Sequence, residues 1–276
     1  MPITLFALML GVFCLGTAEI IISGLLPVVS SDLAVSLPQA GMLVTGYALG
    51  VTIIGPFVTL LIFRALRKSL FPGLMVPFII GNIWAVLASD YQMLMAARIL
   101  TSISHGTFVA VAFSLAVTLS PPNKQGSAMA KIALGFNLAN AMGGPLGTFI
   151  GQNLGWRATF VAIVIVAVAS MALIAVFMPA KLPQAEQSEL GAMRRELSAL
   201  SNPTLIFAVI TTVLAQGAVF TASTYIVPLL MDISRFTPSA VSALLVVFGI
   251  GAIAGNFAGG RLADKHVMRG VTMVLG

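Results

Sequence analysis

Residues 5–28 have the sequence LFALMLGVFCLGTAEIIISGLLPV, an apolar run that contains a single charged side chain, Glu19. A helix of about 20 apolar residues is needed to cross the roughly 30 Å hydrocarbon core of a bilayer. The run is therefore predicted to form a membrane-spanning helix. It is too long for the apolar part of a cleaved signal peptide and no basic segment precedes it, so we expect it to be retained.

Further apolar runs of similar length follow along the chain, and another begins near Val271. The eight complete runs cover residues 5–28, 41–63, 70–88, 93–119, 128–151, 157–178, 204–230 and 239–260. Of the 276 residues 59% are hydrophobic and only 8% are charged, whereas soluble domains have about 25% charged residues. This composition predicts an all-α fold class, that of a polytopic membrane protein.

Lys and Arg are concentrated in alternate links between the runs. The basic residues of that set are Arg64, Arg67, Lys68, Lys124, Lys131, Lys181, Arg194, Arg195, Arg261, Lys265 and Arg269. The other links contain only Arg157 and Arg235. Because basic links stay in the cytoplasm, the N-terminus is predicted to be cytoplasmic. Since the basic residues are dispersed, the net charge of +6 does not predict nucleic-acid binding.

Proline and glycine residues recur when the chain is shifted by 201 positions. The matched pairs include Pro2 and Pro203, Gly16 and Gly217, Pro27 and Pro228, and Gly50 and Gly251. A repeat of about two hundred apolar residues suggests a transporter built from two halves. The predicted domains are a six-helix bundle over residues 1–178, a cytoplasmic linker over 179–203 and a partial second bundle over 204–276.

Two formal charges lie well inside the predicted hydrocarbon region, Glu19 and Arg98, each about 9–12 Å from its surface at about 1.5 Å per residue. Burying such a group costs about 2.5–3.5 kcal/mol, so each is expected to face a cavity or a partner. The spacing of Arg98 and His105 places both on one face of a helix. The functional interpretation is a carboxylate that exchanges a proton. The alternative is a static ion pair, and a lone His105 is more often a packing residue.

Small residues form rows with a spacing of four in three of the runs. These rows are Gly135, Ala139, Gly143, Gly147 and Gly151, then Gly251, Gly255 and Gly259, and the shorter pair Gly46 and Gly50. Small-residue rows let helices approach closely in lipid. If the fifth and eighth runs belong to opposite halves, their rows could meet as a surface on which the halves rock. Ordinary packing within one half is the alternative.

The links after the second and eighth runs carry clustered charges. The residues concerned are Arg64, Arg67 and Lys68 in the first link and Asp264, Lys265 and Arg269 in the second. A carboxylate at a helix terminus next to basic residues can hold a gate closed through charge-assisted hydrogen bonds. Phe63 stands where the repeat would place an acid in the first link. Positive-inside anchoring explains the basic residues equally well.

Five segments together resemble the N-terminal two thirds of a bacterial major facilitator superfamily permease, of the drug:proton antiporter branch that includes arabinose-efflux and chloramphenicol-resistance exporters. They are GTAEIIISGLLPVVSSDL (16–33), GMLVTGYALGV (41–51), LMAARILTSISHG (94–106), NLANAMGGPLGTFIGQNLGWRATF (137–160) and GGRLADK (259–265). The resemblance implies the major facilitator fold, with a complete N-terminal six-helix bundle and the first two to three helices of the C-terminal bundle. It also implies an inner-membrane location.

The resemblance also implies residue roles. Glu19 corresponds to the membrane-embedded acid and Arg98 to the arginine of the fourth span. The antiporter motif corresponds to Gly143, Gly144, Pro145 and Gly147, and the gating motif to Asp264 with Lys265. Phe63 departs from the acid of that gating motif, which argues against two equivalent gates.

The predicted function is proton-coupled export of a drug or sugar by alternating access, with Glu19, Arg98 and His105 coupling the proton. The predicted substrate-binding residues are Ser23, Asn137, Asn140, Gln216 and Tyr225. No cofactor besides the proton and no metal is expected, and no arrangement of residues suggests an enzyme. The expected partners are a small molecule and the bilayer, with the full-length protein monomeric. The alternative is a truncated, transport-inactive fragment of such a permease.

Overall fold

The computed structural model describes residues 2–58, 70–121, 124–178, 203–251 and 254, and over these residues the chain forms eight helices and no strand. They are α1 (Pro2–Asp32), α2 (Leu37–Val58, which includes the π-helical segment Gly50–Ile54), α3 (Leu70–Gly73 and Met75–Val86), α4 (Tyr91–Thr118), α5 (Gln125–Leu138, the π-helical segment Ala139–Gly143, and Gly144–Leu154), α6 (Trp156–Phe177), α7 (Pro203–Thr224) and α8 (Pro238–Gly251). A short turn, Ile226–Pro228, and a third π-helical segment, Leu229–Ile233, connect α7 to α8.

Within the described residues, each of the eight apolar runs forms one of these helices, which confirms the all-α membrane fold. Five helices of the described chain, α1, α2, α4, α6 and α7, are long and apolar enough to cross a membrane. Their outer faces carry exposed large apolar side chains such as Phe57, Ile165 and Val176. Such faces are expected to contact lipid, because water would disfavour them.

The helix α1 is the centre of a six-helix bundle. It packs against α2, α5 and α6, while α3 packs against α4 and α6. Most of its side chains are at least partly buried, and Leu8, Leu15, Ile22 and Leu25 are fully buried. The second half of the described chain contacts this bundle through α7 and Ile226–Pro228, which both touch α1.

Polar contacts tie together the helix ends near the α1–α2 turn. Asp32, the last residue of α1, accepts hydrogen bonds from Trp156 Nε1 at 2.9 Å and from Arg157 Nη1 at 2.7 Å. Arg157 Nη2 donates to the Ala88 carbonyl just after α3 at 2.7 Å. Gly155 has a φ of 88°, which a side chain would disfavour, and it makes the sharp turn from α5 into α6. The ends of α1, α3 and α6 are therefore joined at one point.

The glycine row of α5 packs against α1, inside one bundle. A Cβ added at Gly135 would lie 2.5 Å from the Met9 carbonyl oxygen, and one at Gly143 would collide with Thr17. The glycines at 147 and 151 face Ile21 and Leu25 of α1 in the same way. The structure therefore favours the alternative of packing within one half over a rocking surface built from this row.

The other two rows have different outcomes. Gly46 and Gly50 of α2 pack against α4. The helix α8 does meet α5, but through Gly249, where an added Cβ would lie 2.8 Å from the Asn140 carbonyl oxygen. Within the described chain, nothing lies within 4 Å of a Cβ placed at Gly251, while Gly255 and Gly259 lie outside the described residues.

Two of the π-helical segments have a common cause in the sequence. Gly50–Ile54 ends two residues before Pro56, and Ala139–Gly143 ends two residues before Pro145. A proline inside a helix lacks the N–H group and its ring crowds the carbonyl four residues earlier, which in both helices lies within the π-helical segment. The wider turn relieves this crowding and bends the helix.

We predict that Gly135→Ala destabilises the bundle, because the new methyl group meets the α1 backbone. Overpacking of this kind costs about 1–3 kcal/mol. Thermal unfolding of the detergent-solubilised protein should occur at a lower temperature than in the unmodified protein. The matched control is Gly217→Ala in α7, where no described atom lies within 4 Å of an added Cβ, and it should leave the unfolding temperature unchanged or higher. Equal effects of the two substitutions would contradict the packing assignment.

Candidate functional site

The helix α4 presents a polar face in its first half. Arg98 is only 1% exposed and His105, two turns later, is 6% exposed. Asp90 starts the helix by accepting a hydrogen bond from the Met93 N–H at 2.9 Å, which sets where this face begins. The face points into the bundle, so two basic side chains lie among apolar helices.

The carboxylate of Glu19 projects from the middle of α1 towards this face. Its Oε2 atom lies 3.7 Å from Nε2 of His105. The Glu19 side chain is 28% exposed and that of His105 is 8% exposed. The carboxylate is therefore held against α4 while part of it stays accessible.

Arg98 contacts α1 and α2 together. Its Nη1 atom donates to the Ala18 carbonyl of α1 at 2.6 Å, and its Cζ atom lies 4.0 Å from the centre of the Tyr47 ring of α2. A guanidinium over an aromatic face is a cation–π contact. In the described part of the chain, Nε and Nη2 of Arg98 have no hydrogen-bond partner. The buried cation is thus only partly satisfied by the protein.

The sequence predicted that Glu19 and Arg98 could meet, and the structure modifies that arrangement. The Glu19 carboxylate faces the His105 imidazole, with Oε2 3.7 Å from Nε2, whereas Arg98 Nη1 donates to the carbonyl of Ala18, the residue before Glu19. The Arg98 charge still interacts favourably with the Glu19 carboxylate through space. Arg98 and His105 are separated by two helical turns and therefore lie on one face of α4, so that both are near the Glu19 carboxylate.

Tyr47 is a member of this cluster that the sequence interpretation missed. It is 1% exposed, and its hydroxyl lies 2.8 Å from Nδ1 of His105. The two rings meet edge to face, with centroids 5.7 Å apart. The available signal was a hydroxyl inside an apolar run, next to the small residues Gly46 and Gly50. We call Glu19, Tyr47, Arg98 and His105 the carboxylate cluster.

The predicted substrate-binding residues are not gathered at one point. Ser23 is partly buried on α1, one turn beyond Glu19, and Asn137 is partly buried on α5. Asn140 donates from Nδ2 to the Phe136 carbonyl of its own helix at 3.0 Å. Gln216 is exposed on α7, and Tyr225, which follows α7, is 38% exposed.

Tyr225 contributes to a set of contacts between the two halves near the α1–α2 turn. Its ring packs on Gly41 at the start of α2, where an added Cβ would lie 3.0 Å from Cζ of the ring. Nearby, Gln152 Nε2 of α5 lies 3.9 Å from the Met231 sulfur, which follows α7. At this end the halves are in contact.

The residues of the expected antiporter and gating motifs have different outcomes. Gly143, Gly144, Pro145 and Gly147 are all buried, and the three glycines pack against α1. The predicted gating residues lie outside the described residues: Arg64, Arg67, Lys68, Asp264, Lys265 and Arg269. Residues 179–202 of the predicted linker lie outside them as well.

Comparisons with known proteins agree with this architecture. The family model described as the Major Facilitator Superfamily matches residues 8–276. The inner membrane transport protein YdhP of Escherichia coli (strain K12) is 41% identical over 263 residues, which is 95% of this chain and 67% of that protein. The chloramphenicol resistance protein of Streptomyces lividans is 32% identical over 96% of this chain and 68% of its own length.

A solved structure shares the fold. The bacterial homologue of the human lysosomal transporter Spinster, in an inward-facing and unoccupied conformation, superimposes with a TM-score of 0.75 at 18% identity, covering 96% of this chain and 63% of that one. The chain spans about two thirds of the length of the curated relatives described above. By its sequence and its helical bundle, the chain belongs to the major facilitator superfamily, a family of membrane transporters.

Proposed function

We propose that this chain acts as a proton-coupled exporter of small molecules, working by alternating access in the inner membrane. The observation that carries the proposal is the carboxylate cluster: an acid in the middle of a membrane helix whose Oε2 atom lies 3.7 Å from an imidazole nitrogen. An ionisable residue at such a depth is costly, and a proton site is the usual reason for its presence. The proton is then the only coupling species required, without a metal or another cofactor.

The cluster provides two states of different charge. With Glu19 ionised, its carboxylate is attracted to Arg98 and His105 of α4 and draws α1 and α4 together. With Glu19 protonated, that attraction is lost, and the partly satisfied Arg98 becomes available for a polar group of a substrate. Proton and substrate would then bias one conformational equilibrium in opposite directions, which is the requirement for exchange.

The conformational equilibrium would be a rocking of the two halves. The contacts of Tyr225 with Gly41 and of Gln152 with Met231 support closure at the α1–α2 end. With a cytoplasmic N-terminus, this end faces outwards and the cavity would open to the cytoplasm. Substrate would enter there and meet Ser23, Asn137, Asn140 and Gln216 before the closed end, where Tyr225 contacts Gly41. The charged residues of the two links outside the described chain would form the opposite gate.

The substrate class proposed is a small amphiphilic molecule. Apolar helices with few polar groups suit such a molecule, and the name of one relative refers to resistance to chloramphenicol. Chloramphenicol is therefore a suitable probe. A sugar is the second candidate, since the amides of Asn137, Asn140 and Gln216 offer both donors and acceptors.

We predict that Glu19→Gln abolishes proton movement coupled to chloramphenicol, because the amide cannot bind and release a proton. The measurement is lumenal pH in proteoliposomes, followed with a trapped dye while chloramphenicol is added. The matched control is Asp32→Asn, which makes the same change on the same helix at an exposed residue paired with Arg157. The control should keep coupled proton movement. Undiminished proton movement in Glu19→Gln would refute the coupling role.

We predict that Gly41→Leu disfavours closure at the α1–α2 end, because the new side chain collides with the Tyr225 ring. Overpacking of about 1–3 kcal/mol is enough to shift two states of similar free energy. In a Cys14→Ser background, Gln152→Cys with Met231→Cys should form a disulfide readily. Adding Gly41→Leu should lower the yield of this disulfide.

The rescue variant for this prediction is Tyr225→Ala, which removes the obstructing ring. Combined with Gly41→Leu, it should restore the disulfide yield. A yield that Gly41→Leu leaves unchanged, or that Tyr225→Ala does not restore, would show that this contact does not control closure.

A further inference from the structure

We propose that Tyr47 is a positioning residue of the carboxylate cluster. Its hydroxyl donates a hydrogen bond to Nδ1 of His105 and so favours the tautomer with the hydrogen on Nε2, facing Glu19. The carboxylate of Glu19 is then the group that takes the proton. The contribution to proton coupling rests on the function proposed above. The tautomer assignment rests on the geometry alone.

The geometry joins three helices through a single side chain. The Tyr47 hydroxyl of α2 lies 2.8 Å from Nδ1 of His105, and the opposite nitrogen of that ring, Nε2, lies 3.7 Å from the Glu19 carboxylate of α1. One imidazole nitrogen thus faces a hydroxyl and the other faces an acid. The orientation of the ring is fixed between them, since its two ends have different partners.

The charges around the imidazole decide which nitrogen carries the hydrogen. A neutral imidazole has one N–H donor and one acceptor nitrogen, and the partner of one nitrogen sets the state of the other. The carboxylate of Glu19 accepts and cannot donate when ionised, so it favours a hydrogen on Nε2. Nδ1 then accepts from the Tyr47 hydroxyl.

Arg98 reinforces this assignment from the other side of Tyr47. Its guanidinium carbon lies 4.0 Å from the centre of the tyrosine ring. A positive charge over the ring withdraws electron density and makes the hydroxyl a stronger donor towards Nδ1.

Every described element packed around His105 fits this arrangement. The titratable or charged groups facing it are Glu19 from α1, Tyr47 from α2 and Arg98 from its own helix. The helix α5 contributes the apolar ring of Phe136, with its centroid 5.9 Å from that of His105. The ring therefore lies between one acid and one phenol, with an apolar wall beside it.

The position of Tyr47 is fixed by the close packing of α2 on α4. A Cβ added at Gly50 would collide with Ser102 of α4, and one added at Gly46 would lie 2.5 Å from the Met95 sulfur of the same helix. Close approach of the two helices keeps the phenol within hydrogen-bond distance of His105. A larger residue at either glycine would separate the helices and lengthen this bond.

The direct test is nitrogen NMR of the full chain labelled with ¹⁵N-histidine in lipid bilayers. The chain has two histidines, His105 and His266, so His266→Gln assigns the signals. The proposal predicts mainly the Nε2–H tautomer at His105 in the otherwise unmodified protein. Tyr47→Phe keeps the ring beneath Arg98 and removes only the hydroxyl, so it should raise the ratio of the Nδ1–H to the Nε2–H tautomer about fivefold, the factor expected for one hydrogen bond.

The matched control is Tyr91→Phe on α4, which removes a hydroxyl that donates to the Gln39 carbonyl at 2.9 Å, far along the helix from His105. It should leave the His105 signals unchanged. A dominant Nδ1–H tautomer in the unmodified protein, or identical signals in Tyr47→Phe, would overturn the proposal.

A transport assay separates this proposal from the proposed function. In proteoliposomes with chloramphenicol as the probe, Tyr47→Phe should change the pH profile of proton exchange while Tyr91→Phe should not. An altered tautomer with an unaltered pH profile would overturn the part of Tyr47 in coupling. If the unmodified protein moves no protons, the proposed function fails, and the NMR result still decides the tautomer assignment.

Discussion

A charged side chain in the middle of a membrane must be compensated by other groups, and the centre of this molecule is arranged around that constraint. Glu19, Arg98 and His105 would each be costly alone in hydrocarbon. The structure places them on facing helices, where the carboxylate contacts the imidazole and the guanidinium binds a backbone carbonyl and the Tyr47 ring. The compensation is incomplete, because two nitrogens of Arg98 have no described partner. A cluster in which some charged groups lack hydrogen-bond partners suits a site whose charge changes.

The charged groups stay at fixed distances from one another only because the helices that carry them pack closely. Lipid does not force apolar helices together, so small residues and close backbone contact must do so. The glycines of α5 bring it against α1, and those of α2 bring it against α4. The prolines at 56 and 145 bend the same two helices through π-helical segments. The helices α1 and α4, which carry Glu19, Arg98 and His105, are thus each packed against a neighbour that contains a π-helical segment.

Much of the fold could be predicted from the sequence because the bilayer constrains length and composition so strongly. The apolar runs predicted the helices, and the spacing between Arg98 and His105 correctly predicted that both lie on one face of α4. The rotation of each helix about its axis was not predictable in the same way. For that reason Tyr47 was missed as the partner of His105, and the sequence left open whether the α5 glycine row meets α8 or packs within its own half, where it contacts α1. The π-helical segments were also missed, since the prolines indicate a bend but not its form.

The most direct test of the account is whether substrate binding displaces a proton from the carboxylate cluster. Calorimetric titration of the purified full chain with chloramphenicol, in two buffers whose ionisation enthalpies differ, reports the number of protons released on binding. The account predicts a buffer-dependent heat that corresponds to about one proton released per molecule bound, lost in Glu19→Gln. Clear binding with the same heat in both buffers would contradict it.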